Sequence, residues 1–164
     1  MLKFEYATRE DVPEVLEFIK MLAEYEHMAD EVIADVNTLE HWLFDEKKAE
    51  VIFAVADGED GAPDGERVGF ALFFHNFSTF LGRAGLYLED LYVKEEYRGK
   101  GYGKALFTEL ARIAVERGCG RFEWWCLDWN QPSIDFYKSM GAVPMDEWTV
   151  YRIAGKTLEE LGQC

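Results

Sequence analysis

Residues 86–104 read LYLEDLYVKEEYRGKGYGK, and this stretch decides the fold because it predicts a strand, a glycine-rich loop and a helix in direct succession. Gly99, Gly101 and Gly103 occupy alternate positions, so no Cβ atom would block an anion that approaches the backbone amides. The helix that follows offers unpaired N–H groups and the positive end of its dipole. Its apolar residues recur at helical spacing, and Gly118 is the expected cap at its C-terminus. These apolar residues are Leu106, Phe107, Leu110, Ile113 and Ala114. The stretch therefore predicts a pyrophosphate-binding loop.

Two common nucleotide loops do not fit this pattern. A P-loop places Gly-Lys before Ser or Thr, whereas Ala105 follows the Gly-Lys pair here. A dinucleotide fingerprint reads G-x-G-x-x-G, but this loop reads G-x-G-x-G and its next predicted strand, residues 121–127, is aromatic where an acidic residue is required. The loop instead resembles the R-x-x-G-x-G signature of the GCN5-related N-acetyltransferases (the GNAT family), carried here by Arg98, Gly101 and Gly103.

The resemblance covers nearly the whole chain and points to the branch that contains diamine (spermidine/spermine) and thialysine acetyltransferases. Residues 128–141 resemble the second cofactor segment of the family, in which an asparagine precedes a short helix that carries Phe-Tyr and ends at a glycine. Residues 86–93 resemble the strand whose backbone pairs with the pantetheine arm. The resemblance thus implies acetyl-CoA as the acetyl donor. The cofactor-binding residues that it implies are Leu91, Tyr92, Val93, Arg98, Gly99, Lys100, Gly101, Tyr102, Gly103, Lys104, Asn130, Ser133 and Tyr137.

The resemblance also implies the fold class, α/β, with a single-domain, GNAT-like mixed and mostly antiparallel sheet flanked by helices. Its central parallel strands are expected to splay apart around acetyl-CoA. Because 164 residues is near the common size of one domain, we expect residues 1–164 to form a single N-acetyltransferase domain.

Local patterns predict the individual elements. The predicted strands are at residues 2–6, 51–56, 67–76, 86–93, 121–127 and 148–153. A capping-box pattern predicts a helix that begins near Thr8, and a second helix is predicted over residues 37–44 with Leu39, Trp42 and Leu43 facing inward. The composition of residues 57–65 predicts a mobile hairpin loop that cannot pack. The strand–helix–strand order within residues 86–127 predicts parallel neighbours.

The charge balance indicates the kind of ligand. The net charge is −15, from 32 acidic and 17 basic residues, which repels nucleic acid and favours cationic small molecules. Acetyl-CoA is anionic, and Lys94, Arg98, Lys100 and Lys104 could give it a local basic site, although a solvated charged turn is the alternative.

The odd number of cysteines and the isolated histidines predict neither a disulfide framework nor a metal site. No apolar run suits a membrane span or a secretory signal, so we expect a cytoplasmic protein without membrane or nucleic-acid partners.

Two side chains are candidates for acid–base chemistry. Free amines have pKa values around 10, so a proton must leave before the amine attacks a thioester. Glu89 matches the glutamate that serves as base in the diamine branch, and we expect it to act through water; a surface or strand-edge carboxylate is the alternative. Tyr137 is the candidate acid for the leaving thiolate, and packing in the core is its alternative. Cys126 lies in an apolar run without a paired histidine, so direct attack is expected without an acyl-enzyme.

Acidic and aromatic residues suggest an amine pocket. The candidate substrate-binding residues are Tyr25, Glu26, Glu89, Asp90 and Trp124, because carboxylates pair with a cation and aromatic faces attract it. Core packing is the alternative for the tryptophan. Diamine acetyltransferases carry an aspartate where this chain has Ser78, a departure that favours a shorter, thialysine-like amine.

These features together predict an N-acetyltransferase that moves acetyl from acetyl-CoA to a primary amine of a small cationic metabolite. Acetylation of a protein N-terminus or an aminoglycoside, or a non-catalytic CoA-binding regulatory domain, are the alternatives. Asn130 could contact the cofactor or only cap the helix that Pro132 begins, and both roles are compatible. The resemblance also implies a homodimer.

Overall fold

A computed structural model describes residues 2–164, which divide into two compact units, one that extends to Trp125 and one of Cys126–Cys164. The strands are β1 Lys3–Tyr6, β2 Glu50–Val55, β3 Arg67–Ser78, β4 Arg83–Val93 and β5 Phe122–Trp124. The helices are α1 Val12–Tyr25, α2 Val36–Glu40, α3 Tyr102–Glu116, α4 Gln131–Ser139 and α5 Gly155–Gly162. None of the helices within the described range combines the length and apolar character that a membrane crossing requires.

The five strands form one mixed sheet in the order β1-β2-β3-β4-β5. The first four strands pair antiparallel, and β4 pairs with β5 in parallel, with α3 as the crossover between them. The predicted α/β class with a mixed, mostly antiparallel sheet is therefore confirmed, as is the parallel pairing expected from the strand–helix–strand order.

Each face of the sheet has its own apolar core. Leu106, Leu110 and Ile113 of α3 pack on one face together with the inward side chains of β4. Val15 and Phe18 of α1 pack on the other face. Because side chains alternate along a strand, the two cores sort the residues of β4 into an α3 face and an α1 face.

The strand–loop–helix succession is present as predicted. Gly99 and Gly101 have φ values of +79° and +80°, a left-handed backbone conformation that residues other than Gly and Asn rarely adopt. Gly101 occupies the N-cap position of α3, and Gly103 lies within its first turn. The helix start near Thr8 is also confirmed, because Thr8 and Asp11 form a capping box before α1.

Two local expectations about burial were wrong. Trp42 is 53% exposed, whereas Leu43 is 7% exposed as predicted. Residues 41–45 form a π-helical turn after α2, and its wider spacing changes which side chains face inward. The loop between β2 and β3 does pack, since Ala62 is 2% exposed within the core on the α3 face. A methyl side chain is small enough to be buried even in an acidic, glycine-rich loop.

The strand predicted at residues 148–153 is not formed, and α5 follows this segment directly. Trp148, Tyr151 and Ile153 are exposed, although aromatic and β-branched residues favour strands. That preference takes effect only where a neighbouring strand pairs with the segment, and the sheet described here consists of β1 to β5.

Candidate active site

A β-bulge in β4 positions the first candidate catalytic residue. Leu72 of β3 pairs with Asp90, and the next residue, Phe73, pairs with Leu88, so Glu89 has no partner across the strands. A bulge of this kind redirects a side chain and breaks the regular alternation. Glu89 is exposed as a result, beside the half-buried Asp90.

The bulge also decides which backbone amides of β4 are available to a ligand. The Leu86 N–H donates to Arg121 on the β5 side, whereas the Lys94 N–H donates to Val68 of β3. Because N–H groups alternate along a strand, the amide of Tyr92 also points toward β3, and those of Leu91 and Val93 point to the opposite edge. The β4–β5 pairs end at Leu88 and Trp124, so this edge continues beyond the last pair. Of the three β4 residues predicted to bind the cofactor, the register thus favours the amides of Leu91 and Val93 for the pantetheine arm and not the amide of Tyr92.

The basic residues around the glycine loop are mostly engaged within the protein. Lys94 forms a salt bridge with Glu66 at 2.6 Å, and Lys100 donates a hydrogen bond to the backbone carbonyl of Asp60. Within residues 2–164, the ammonium of Lys104 is exposed and has no side-chain partner. The positive charge that the loop can offer to a phosphate is therefore smaller than the four basic residues suggest.

These two contacts were missed by the sequence analysis. Glu66 lies 28 residues before Lys94, and Asp60 lies 40 residues before Lys100, so no local spacing could indicate either pair. Tyr102 is buried in the core, with 4% of its surface exposed, so only its backbone contributes to the loop.

Three carboxylates lie close together beside the bulge. Burial first, and then the negative charges of Glu89 and Glu26, raise the pKa of Asp90 to about 7. Burial also raises the pKa of Glu26, the residue after α1. No donor reaches the carboxylate of Asp90 within the described part of the chain, so a cation placed here would relieve an unfavourable accumulation of negative charge. We define Glu26, Glu89 and Asp90 as the acidic corner.

Two aromatic rings near the acidic corner contact the side chain of Arg98. The guanidinium carbon of Arg98 lies 4.9 Å from the ring centre of Tyr25 and 5.1 Å from that of Tyr92. Its Nε donates to the Val93 carbonyl at 3.1 Å. Arg98, predicted as a cofactor-binding residue, thus has partners in both α1 and β4.

Two residues discussed for amine binding lie elsewhere. The ring of Trp124 packs on Phe107 and Phe122, each at 4.9 Å, in the core on the α3 face. Ser78 ends β3 at the hairpin turn, is 5% exposed, and accepts a hydrogen bond from the Leu81 amide at 3.1 Å. Ser78 is five residues along β3 from Phe73, a distance of about 17 Å. The structure therefore does not bring Trp124 or Ser78 to the acidic corner of this chain.

The second compact unit contains the remaining candidates. Asn130 is 8% exposed, and its side-chain oxygen accepts a hydrogen bond from the Ser133 amide at 3.4 Å. Asn130 therefore caps α4, which was one of the two roles expected from the sequence. Tyr137 is half-buried on α4, with its ring centre 5.5 Å from that of Phe136. Its role as the acid stays a prediction.

The chain is similar to known proteins in both sequence and fold. The sequence model of the Acetyltransferase (GNAT) family matches residues 15–142. A thialysine N-epsilon-acetyltransferase of Sus scrofa is 37% identical over 161 residues, which cover 92% of this chain and 91% of that protein. An L-ornithine N5-acetyltransferase of Arabidopsis thaliana is 46% identical over 93 residues, 57% of this chain and 41% of that protein. An integron cassette protein from the mobile metagenome of V. cholerae has a similar structure, with a TM-score of 0.79, 28% identity, and coverage of 99% of this chain and 98% of that chain.

Proposed function

The chain belongs to the GNAT family of acetyltransferases and is an acetyl-CoA-dependent N-acetyltransferase, and from this premise we propose that it acetylates the primary amine of a small, short-chain cationic metabolite. The observation that carries the proposal is the layout of β4. This strand bears Glu89 and Asp90 of the acidic corner, continues into the free-edge amides of Leu91 and Val93, and ends at the glycine loop. One strand therefore leads from a site for a cation to a site for a pyrophosphate.

The residues at the loop fit acetyl-CoA. Left-handed Gly99 and Gly101 leave open space over the backbone, since a Cβ atom at either position would meet no other atom within 4 Å. Helix α3 begins directly after Gly101, and the unpaired N–H groups of its first turn favour an anion. When bound, acetyl-CoA supplies an acetyl group activated as a thioester. Leu91 and Val93 are the residues whose amides would hold the arm, and either amide could donate to a carbonyl oxygen as negative charge develops there.

The acidic corner would bind and deprotonate the amine. Asp90 and Glu26 supply negative charge in a half-buried position, where attraction to a cation is stronger than in water. Glu89 is exposed at the bulge and would take the amine proton through a water molecule. The amine nitrogen would then form a bond to the acetyl carbon as the carbon–sulfur bond breaks, and Tyr137 would give its phenolic proton to the departing thiolate. The second proton, which the nitrogen loses as the amide forms, would pass through water and restore the phenol of Tyr137.

The choice of a short amine is supported by the two relatives. Their names specify thialysine and L-ornithine, and both molecules carry a primary amine at the end of a short chain. Ser78 does not contribute to this choice of amine, because it lies far along β3 from the acidic corner.

An amine panel tests the proposal. Purified protein would be mixed with acetyl-CoA and with thialysine, ornithine, lysine, spermine, an aminoglycoside or a peptide with a free N-terminus, and the thiol released would be measured. We expect the highest kcat/KM for thialysine or ornithine. A higher value for spermine, the aminoglycoside or the peptide would contradict the proposed substrate class. Calorimetric binding of CoA without thiol release from any amine would favour the non-catalytic alternative.

We also propose a homodimer, as the family resemblance implies. The second compact unit exposes several large apolar side chains, among them Val143, Trp148 and Tyr151, of which Tyr151 is 91% exposed. Exposed apolar groups in such number are typical of an interaction surface. Sedimentation of the unmodified protein should give the mass of a dimer, and Tyr151→Lys should lower the dimer's stability. A monomer at micromolar concentration would contradict this proposal.

A further inference from the structure

The Arg98 side chain connects three separate parts of the first compact unit. Its guanidinium carbon lies over the rings of Tyr25 and Tyr92, 4.9 and 5.1 Å from their centres. Its Nε donates to the carbonyl of Val93, the last residue of β4, at 3.1 Å. Arg98 itself directly precedes Gly99, the first glycine of the loop.

The partners of Arg98 belong to two different parts of the proposed active site, the amine site and the acetyl-CoA site. Tyr25 is the last residue of α1, and Glu26 of the acidic corner follows it directly. Val93 and the glycine loop belong to the proposed acetyl-CoA site. Gly99 and Gly101 have no side chain with which to pack on the protein, and Lys100 between them holds the loop to the carbonyl of Asp60. Arg98 is the side chain that joins the start of the loop to α1 and β4.

The chemistry of the contact suits arginine and not merely a positive charge. A planar guanidinium can stack on aromatic faces and donate from Nε at the same time. A lysine ammonium is a compact charge on a flexible stem and cannot reproduce both contacts. The neighbouring Lys104 offers the contrasting case, an exposed cation that has no side-chain partner within residues 2–164.

We infer that Arg98 is a positioning residue that couples the acetyl-CoA loop to the amine side of the active site by holding the loop against Tyr25, Tyr92 and Val93. This inference rests on the proposed function for its consequences, because the loop must bind acetyl-CoA for the coupling to affect turnover. Its structural content is independent, since the partners of Arg98 are all residues of the chain itself. A change in Tyr25 on α1 should consequently alter the affinity for acetyl-CoA.

The first test uses a matched pair at Tyr25. Tyr25→Phe keeps an aromatic face for the guanidinium, and Tyr25→Leu removes it. We expect Tyr25→Phe to keep the acetyl-CoA Kd of the unmodified protein and Tyr25→Leu to weaken it by about 3- to 10-fold, from the loss of one cation–π contact. Calorimetry without an amine gives both values. An unchanged Kd in Tyr25→Leu would overturn the coupling.

The second test separates positioning from charge. Arg98→Lys keeps the charge, and Lys104→Met removes an exposed charge. We expect Arg98→Lys to raise the KM for both acetyl-CoA and the amine, with the salt dependence of acetyl-CoA binding retained. Lys104→Met should raise only the KM for acetyl-CoA and reduce that salt dependence, because the charge it removes is screened by ions. Arg98→Lys with both KM values unchanged would show that Arg98 acts only as a cation.

A third measurement does not depend on activity. Hydrogen exchange of a peptide that covers residues 94–103, without any ligand, should be faster in Arg98→Met and in Tyr25→Leu than in the unmodified protein and in Lys104→Met. Equal exchange rates in all four proteins would overturn the inference. If the unmodified protein failed to bind acetyl-CoA, the proposed function would be wrong, and the exchange rates would still decide whether Arg98 holds the loop.

Discussion

Replacing Asp90 by asparagine should stabilise the protein above neutral pH and have little effect near pH 4. Burial and the charges of Glu89 and Glu26 raise the pKa of Asp90 from 3.8 to about 7, so the folded protein holds a proton that the unfolded chain has already lost. Wherever the folded state binds more protons, stability falls as pH rises. The loss should therefore begin near pH 4 and be complete just above pH 7.

The size of the effect follows from the same pKa. One pKa unit corresponds to about 1.4 kcal/mol, so a change from 3.8 to about 7 sets a limit of about 4 kcal/mol if the corner stayed rigid. The corner is partly open to water, which screens the charge, and we expect about 2 kcal/mol in practice. For a protein of this size, that corresponds to a rise in Tm of about 4–8 °C for Asp90→Asn at pH 8.

Urea unfolding of both proteins at intervals from pH 4 to pH 8 measures this effect. The difference in unfolding free energy should grow up to about pH 7 and then stay constant. Glu159→Gln, at an exposed position on α5, is the control and should give a difference that does not vary in this way. Glu89→Gln removes one negative neighbour, so it should lower the pKa of Asp90 and move the upper end of the window to lower pH. Parallel pH profiles for the unmodified protein and Asp90→Asn would refute the reasoning.

Three further predictions concern the two binding sites and the chemistry. Gly101→Val should weaken acetyl-CoA binding about 5- to 30-fold, because a left-handed φ of +80° strains a β-branched residue by about 1–2 kcal/mol. Gly101→Asn, which tolerates this conformation, should retain more affinity, and equal Kd values for the Val variant and the unmodified protein would contradict the loop assignment. Binding of a cationic amine near pH 7 should release protons from Asp90. Calorimetry in buffers of different ionisation enthalpy measures this release, and an unaltered release in Asp90→Asn would exclude that residue as the source. Tyr137→Phe should lower kcat by about 10² to 10⁴ with little change in KM or Tm, because only the acid is lost. A folded Tyr137→Phe variant that retains most of its kcat while chemistry limits the rate would make Tyr137 a packing residue.

The elements that form from local interactions were predictable from the sequence. The alternate glycines, the apolar spacing of α3 and the capping residues at Thr8 and Asn130 each act within a few residues of chain, and the structure contains all of them. The first four strands and the parallel pairing of β4 with β5 also agree with the sequence, because their apolar patterns reflect burial on a sheet. Family membership was predictable for the same reason, since the glycine-loop signature and the second cofactor segment, residues 128–141, are each local.

Features that depend on distant partners were decided only by the tertiary structure. The bulge at Glu89 arises from the register of β4 on β3, and it determines that the Leu91 and Val93 amides face the free edge. The contacts of Arg98 with Tyr25 join residues 73 positions apart in the sequence, and no local pattern encodes them. The segment at residues 148–153 shows the opposite case, a strand-like composition without a pairing strand in the described sheet. Local chemistry determines what a segment can form, whereas pairing and burial by residues far along the chain determine what it does form.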